Sequence, residues 1–280
     1  MPDAPKAHDT ASSLFRAGQL GPAIAAANAE VRRRPGDLGA RVLLAEFLLF
    51  AGTIERADTI LDAAATADPT AAVVVAEFRQ LLRAETARRQ LIRDGRVPEF
   101  LGDPPAALRA VLAAQVALRA GDIAEAARCA AEAETVRPRV PGFLKAGAAT
   151  EGGGETAIDD FRDVDDLCAG FFEVLTTTGK YYWVPTERVA SIVFHPPRRP
   201  RDLAWRRATI SVNEGPDGEV YIPVIYDSLQ PDLADDLRLG HSTEWSEEEM
   251  GPVRGTGQRV FLAGDDAHGI MDIAELRFGT

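Results

Sequence analysis

Through the first 136 positions, apolar residues recur at helical spacing, and glycine-centred turns interrupt them at a fixed interval. Ala17-Gly18-Gln19-Leu20 returns as Ala51-Gly52-Thr53-Ile54 and again as Ala120-Gly121-Asp122-Ile123, intervals of 34 and 69 residues. Ala23, Ala57 and Ala126 keep the same step, as do Pro35, Pro69 and Pro138. A period of 34 with small residues beside a turn and proline at the close is the tetratricopeptide pattern, each unit a pair of antiparallel helices. Glycine ends one helix, small alanines let the next backbone pack back closely, and proline stops the second helix because it lacks an N–H. The pattern predicts helix pairs over 6–34, 37–67 and 104–136. Near residue 86 the turn is missing, since Ala84-Glu85-Thr86-Ala87-Arg88 has no glycine, so one long helix over 70–94 is predicted, broken at Asp94-Gly95. Asp37, Asp68-Pro69 and Asp103-Pro104-Pro105 are candidate helix starts, with the acid at the cap and proline in the first turn.

Beyond residue 139 the text changes. Pro141-Gly142, Gly147 and Glu151-Gly152-Gly153-Gly154-Glu155 read as a flexible join, which divides the chain into 1–150 and 151–280. Each side has its own apolar pattern, so the two halves are expected to be separable, with an exposed linker between them. Ile158, Phe161, Val164, Leu167, Cys168, Phe171, Phe172 and Leu175 fall at helical spacing and predict an amphipathic helix over 159–175. Strands are predicted at 180–184, 191–194, 207–213, 220–226, 259–263 and 270–278, with Glu214-Gly215-Pro216-Asp217-Gly218 as a hairpin turn. The expected class is α+β: an all-α helical repeat followed by a small, mostly antiparallel β-rich domain. Tyr181, Tyr182, Trp183 and Trp205 concentrate in one stretch of a chain that is only 7% aromatic, and one or both of Tyr182 and Trp183 are expected in the core.

At 280 residues, 46% hydrophobic and 26% charged, the composition is that of an ordinary globular chain. A net charge of −12 disfavours nucleic acid or an anionic membrane as the main partner. Cys129 and Cys168 are read as reduced thiols of a reducing compartment. The first ten residues show no apolar h-region, and no run approaches eighteen apolar residues; Leu43–Ala51 comes nearest and contains Glu46. A cytoplasmic protein is expected.

Little of the candidate chemistry is catalytic. His8, His195, His241 and His268 stand at no metal-ligand spacing, and the two cysteines form no C-x-x-C. Asp265-Asp266 with His268, flanked by Gly264 and Gly269, reads as a hairpin loop. Arg254-Gly255-Thr256-Gly257-Gln258-Arg259 is half a dinucleotide fingerprint and precedes a strand instead of opening a helix. The basic run His195-Pro-Pro-Arg-Arg-Pro-Arg is held extended by its prolines and faces neutralising acids of the same half, Asp227, Asp232, Asp235 and Asp236 among them. The long helix carries Arg79, Arg83, Arg88, Arg89, Arg93 and Arg96. Either this is a solvated face among nearby carboxylates, or Arg79, Arg83, Arg89 and Arg93 form a basic ledge for an acidic partner helix. Stacked helix pairs leave a groove, and a partner helix is predicted to lie in it through an apolar stripe.

One stretch also carries a resemblance. Gly179-Lys-Tyr-Tyr-Trp-Val-Pro185 with Glu187-Arg188-Val189, then Arg199-Pro-Arg-Asp-Leu-Ala-Trp-Arg206, resembles the ImpE/TagJ family of type VI secretion accessory proteins. Val220-Tyr-Ile-Pro-Val-Ile-Tyr226, Asp235-Asp-Leu-Arg-Leu-Gly240, Thr243-Glu-Trp245 and Gly255-Thr-Gly-Gln-Arg259 follow in the family's order, so the likeness spans most of 160–280. The family's Gly-Pro-Val before the first motif is replaced here by Ala169-Gly-Phe-Phe172. The resemblance implies a motif core of Tyr181, Tyr182, Trp183, Pro185, Arg201, Asp202, Leu203 and Trp205. It implies a non-enzymatic adaptor without cofactor or metal, whose partner is the N-terminal helix of the small contractile-sheath subunit. An enzyme with its site in the β-rich half, or a general tetratricopeptide scaffold, remains the alternative.

Overall fold

A computed structural model describes residues 7–67, 70, 72–147, 154–228, 230, 232–247 and 251–279. The described first half is helical: α1 Ala7–Arg16, α2 Leu20–Arg33, α3 Leu38–Phe50, α4 Ile54–Ala67, α5 Ala72–Asp94, α6 Ala106–Arg119 and α7 Ile123–Val136. Gly18, Gly52 and Gly121 adopt positive φ between paired helices, the conformation a tight turn there needs. Asp37 caps α3 by accepting from the Ala40 N–H at 3.0 Å, and α2 and α7 end two residues before Pro35 and Pro138. Asp103 does not cap α6: two prolines separate it from the first helical residue, Ala106, and Pro105 holds the cap position. The cap that the pattern omits is Asp122, which accepts from Glu125 N at 3.0 Å and starts α7. Asp68-Pro69 lies outside the described residues.

The second half is β-rich, and the α+β class holds. The strands are β1 Gly142–Ala146, β2 Glu155–Ile158, β3 Phe161–Asp163, β4 Phe171–Leu175, β5 Tyr181–Pro185, β6 Val189–Phe194, β7 Trp205–Val212 and β8 Gly218–Pro223. A short helix, α8 Asp235–Arg238, precedes β9 Thr243–Trp245, β10 Gly255–Gly257, β11 Val260–Ala263, β12 Asp266–Gly269 and β13 Ile273–Phe278. Eight strands form one sheet in the order β2-β1-β13-β6-β7-β8-β4-β5, with β9–β10 and β12–β11–β3 as smaller sheets, and every strand pair is antiparallel. The sheet begins at β1, before the join near 150, and of the glycine-rich linker only Gly154 and Glu155 are described, Glu155 opening β2.

The helix predicted over 159–175 does not form. Asp163 Oδ1 accepts the Asp165 N–H and Asp165 Oδ1 accepts the Leu167 N–H, each at 2.9 Å. Such side-chain turns take backbone donors that a helix would need. Its apolar spacing has another cause: β4 is buried on both faces, so Phe171 to Leu175 lack the alternation that marks a half-exposed strand.

The two halves share a buried core. Leu44, Phe47, Phe78, Leu81 and Leu82 of α3 and α5 belong to the same buried cluster as Phe171, Leu175, Tyr181, Trp183, Trp205 and Tyr221. A second cluster, around Phe172, Val174, Ile192, Phe261 and Ile273, fills the interior of the β half. α3 is apolar nearly all round and buried from Leu43 to Phe50, because the β half covers the side that the other helices leave open. The inward sides of α3 and α5 are therefore covered by the chain's own sheet.

Candidate functional site: the seam and its cleft

Buried charges line the junction of helices and sheet. Arg88 of α5 places its Nε and Nη2 on the two oxygens of Glu173 in β4 at 2.9 and 3.0 Å, and also donates to the Ile225 carbonyl at 3.0 Å. Glu173 further accepts from Tyr181 and Arg259, and Arg259 reaches Asp163 at 2.7 Å. Trp183 Nε1 donates to the Tyr181 hydroxyl at 2.6 Å. Trp205 Nε1 donates to Glu85 at 3.1 Å, and Glu85 also receives Arg89 at 3.0 Å. Burial alone would raise the Glu173 carboxyl, yet the Arg88 and Arg259 guanidiniums and their hydrogen bonds overcome it and hold the group down at about 2.

A second link is weaker. Arg201, in the short turn Pro200–Leu203, meets Glu46 of α3 at 3.1 Å and stacks its guanidinium 4.4 Å from the Phe78 ring centre. Its Nε and Nη2 have no hydrogen-bond partner among the described residues. Burial outweighs the Arg201 and Arg199 guanidiniums near it, and Glu46 is pushed up to about 7. Thus the basic run does not find its acids within its own half alone, since Arg201 takes Glu46, and Arg199 pairs with Glu77 of α5 at 3.4 Å as well as with Asp202 at 3.2 Å. The prolines present these arginines to the helices.

Beside the ion cluster, a cleft of about 280 Å³ opens between α3 and α5 on one side and the chain from Ala204 to Arg238 on the other. Phe50, Arg89, Arg93, Trp205, Ile225 and Asp227 are among its walls. A neighbouring recess of about 300 Å³, with Ile92, Trp245, Arg254 and Thr256, shares Asp227, Ser228 and Gln230 with it. Asp227 has a buried Oδ2 without a hydrogen-bond partner among the described residues, and burial raises its carboxyl. Trp245 is 39% exposed and sits edge-on to Tyr226 with ring centres 5.9 Å apart. Both rings lie over Gly255: a Cβ there would come within 2.3 Å of Tyr226 and 2.9 Å of Trp245. The Gly-x-Gly stretch thus packs aromatic rings and leads into the buried Arg259.

The structure divides the predicted basic ledge. Arg89 and Arg93 line the cleft. Arg79 turns to α4, meeting Asp58 at 2.6 Å and Asp62 at 2.5 Å, and Arg83 is exposed with Gln80 at 3.3 Å. Tyr181, Trp183, Pro185, Arg201, Asp202 and Trp205 are buried, while Tyr182 and Leu203 are half-buried. Pattern reading missed Glu46, Glu173 and Asp163, although a carboxylate inside an apolar run such as Leu43–Ala51 or Phe171–Leu175 is itself a signal. Among the described residues no group of three or more His, Cys, Asp and Glu is placed to hold a metal, and no helix is long and apolar enough to cross a membrane. Cys129 and Cys168 are free thiols, and the Asp266–His268 stretch forms β12, joined to β11 by Gly264-Asp265.

Residues 155–277, which supply the sheet side of this seam, match the ImpE protein family. The β-rich half is an ImpE domain. Its match contains Glu173, the Tyr181–Trp205 motifs, Trp245 and Arg259, and the helices that complete the cleft lie before it. Across 269 residues, 96% of this chain and 90% of the other, the sequence is 29% identical to the type VI secretion system accessory component TagJ of Pseudomonas aeruginosa. An X-ray crystal structure of a Vibrio parahaemolyticus protein superposes with a TM-score of 0.86 at 23% identity, covering 97% of this chain and 98% of that one. That likeness is one of fold, and it spans helices and ImpE domain together.

Proposed function

We propose that this chain is a non-enzymatic accessory protein of a type VI secretion system, working in the cytoplasm as an adaptor. Its partner in this reading is the N-terminal helix of the small contractile-sheath subunit. The observation that carries it is the end-to-end similarity to a relative named as an accessory component of that system, together with the ImpE match. The chemistry of the seam supports it: Arg259, Glu173 and Asp163 are committed to one another in the interior, and Arg88, which also borders the cleft, is held by Glu173. Of the places an enzyme reading would use, neither Asp265 nor His268 lines the cleft or its neighbouring recess, and the Arg198–Arg207 loop contributes to their described lining Ala204 and Trp205 but none of its arginines. Calorimetry of the full chain with a peptide of the sheath subunit's N-terminal helix tests the proposal. Binding in about the micromolar range is expected. Absence of heat with the peptide and failure of the intact subunit to co-purify would overturn it.

A further inference from the structure

In each glycine turn of the helical half, the residue after the glycine stands just before the second helix of the pair: Gln19 before α2, Thr53 before α4 and Asp122 before α7. Asp122 caps its own helix through the Glu125 N–H. Gln19 makes no side-chain cap, and the first turn of α2 contains no acidic residue. Glutamine is not among the residues whose side chains cap well. The acceptor comes instead from 215 residues away, where Asp235 Oδ2 takes the Leu20 N–H at 3.0 Å. A carboxylate in that place also meets the positive end of the α2 dipole.

Asp235 opens α8, and a later motif of the ImpE domain fixes α8 in place. Gln258 donates its Nε2–H to the Gly240 carbonyl at 2.7 Å and its backbone N–H to the Ser242 carbonyl at 2.9 Å. Gly257, at a φ of +95°, makes room for this: a Cβ there would overlap the Ser242 carbonyl oxygen and come within 3.0 Å of Leu237. The stretches Asp235–Gly240 and Gly255–Arg259 thus lock together and present Asp235 to α2. The His241 ring lies beside the α1–α2 turn, 3.9 Å from where a Cβ on Gly18 would stand. Leu239 joins the same buried cluster as Phe15, Leu20 and Phe50. Phe15 stacks on Phe47 with ring centres 4.7 Å apart and leans on Phe50 at 5.1 Å. Phe50 lines the helix side of the cleft, and Arg238 of α8 lines the other.

We propose that α8 is a clasp. Asp235 supplies the cap that α2 lacks, and in doing so holds the α1–α2 hairpin on the ImpE domain and fixes the end of the cleft between Phe50 and Arg238. Asp235 is a positioning residue, acting through α2 and Phe15. It completes a series of ties: Arg88–Glu173 holds α5, Arg201–Glu46 holds α3, and Asp235–Leu20 holds α2. The first two are buried and the third is only part-buried, so the clasp is the tie that water reaches most readily.

Hydrogen–deuterium exchange of the full chain tests this, read by mass spectrometry over α1–α2, over 235–242 and over α6–α7 as internal reference. Asp235→Ala is expected to exchange about three- to tenfold faster in α2 and in 235–242, with α6–α7 unchanged, as loss of one cap should produce. Asp235→Asn, which keeps a capping oxygen, should stay close to the wild type. The deciding variant restores a cap from within the helix. Asp235→Ala combined with Gln19→Asp should recover the protection of α2 and leave 235–242 fast. Unchanged exchange in α2 of Asp235→Ala would show the contact to be idle, and an equal rise in α6–α7 would show a global effect; either overturns the clasp. Full recovery of 235–242 in the double variant would overturn it too, leaving Asp235 a helix cap and nothing more.

Discussion

The β4–β5 hairpin shows one face to the helices and the other to the interior of the sheet, and the two are built differently. Toward the interior lie Phe172, Val174 and Val184, in an apolar cluster against which one buried cation, Arg206, stacks on Phe194 and donates to the Ile270 carbonyl. Toward the helices, Phe171, Leu175 and Trp183 alternate with Glu173 and Tyr181, which are joined to Arg88 and Arg259. Apolar burial is non-directional and tolerates sliding. A bidentate arginine–carboxylate pair does not, because both of its hydrogen bonds are lost when the partners shift. The interior thus stabilises the ImpE domain, while the seam sets where the helices sit on it and so shapes the cleft between them.

The largest expected effect comes from removing one charge of the seam. Arg259→Ala leaves Asp163 without a cation and Glu173 with one fewer, in surroundings closed to water, and should cost about 3–5 kcal/mol by urea denaturation. A cost below about 1 kcal/mol would mean that the seam is solvated and that the contrast between the faces is false. Truncating the apolar members tests the same comparison from both sides. Trp183→Ala and Phe172→Ala should each lose about 3–5 kcal/mol, but only the first should also disturb Arg88 and Glu173, since Trp183 holds the Tyr181 hydroxyl. An unchanged melting temperature for Trp183→Ala would remove it from the core.

Two seam carboxylates should respond to pH in opposite senses. Glu173, lowered from 4.5 to about 2, contributes stability above pH 4.5 that is lost as pH falls toward 2, in total about 3 kcal/mol. Glu46, raised from 4.5 to about 7, takes up a proton on folding. Its charged form therefore weighs against the fold above pH 7, and this penalty is relieved as pH falls from 8 toward 5. Comparing melting curves of the wild type and Glu46→Gln across pH 5 to 8 isolates that second group; parallel curves would show that Glu46 titrates normally. A smaller change, Asp37→Ala, removes the α3 cap and should cost about 1 kcal/mol. Smallest of all, Arg128→Ala breaks ion pairs with Glu125 and Glu132 that lie wholly at the surface, and no measurable shift in melting temperature is expected.

Legibility followed the same division. The helices were readable because Gly18, Gly52 and Gly121 and the prolines after α2 and α7 act on their own neighbours in sequence. The β7–β8 hairpin was readable for the same reason, its turn residues lying between the strands they join. The stretch 159–175 was misread because β4 is buried from both sides, by elements distant in the chain, which erases the period of two. Of the basic ledge, Arg89 and Arg93 reach the cleft and Arg79 does not, a difference made by where α4 and the ImpE domain happen to lie.

By itself, then, the sequence determined the helix pairs, six of the thirteen strands described and the motif order of the ImpE domain, because caps, turns and periodicity act over a few residues. Only the tertiary structure decided that α3 and α5 are covered, that Glu46 and Glu173 serve as buried anchors, and that a cleft opens between the halves. The pairs involved are separated by 155 residues for Arg201–Glu46 and by 85 for Arg88–Glu173. Partners so distant leave no mark on either local pattern, because a buried carboxylate and an exposed one are the same letter until the fold removes the water.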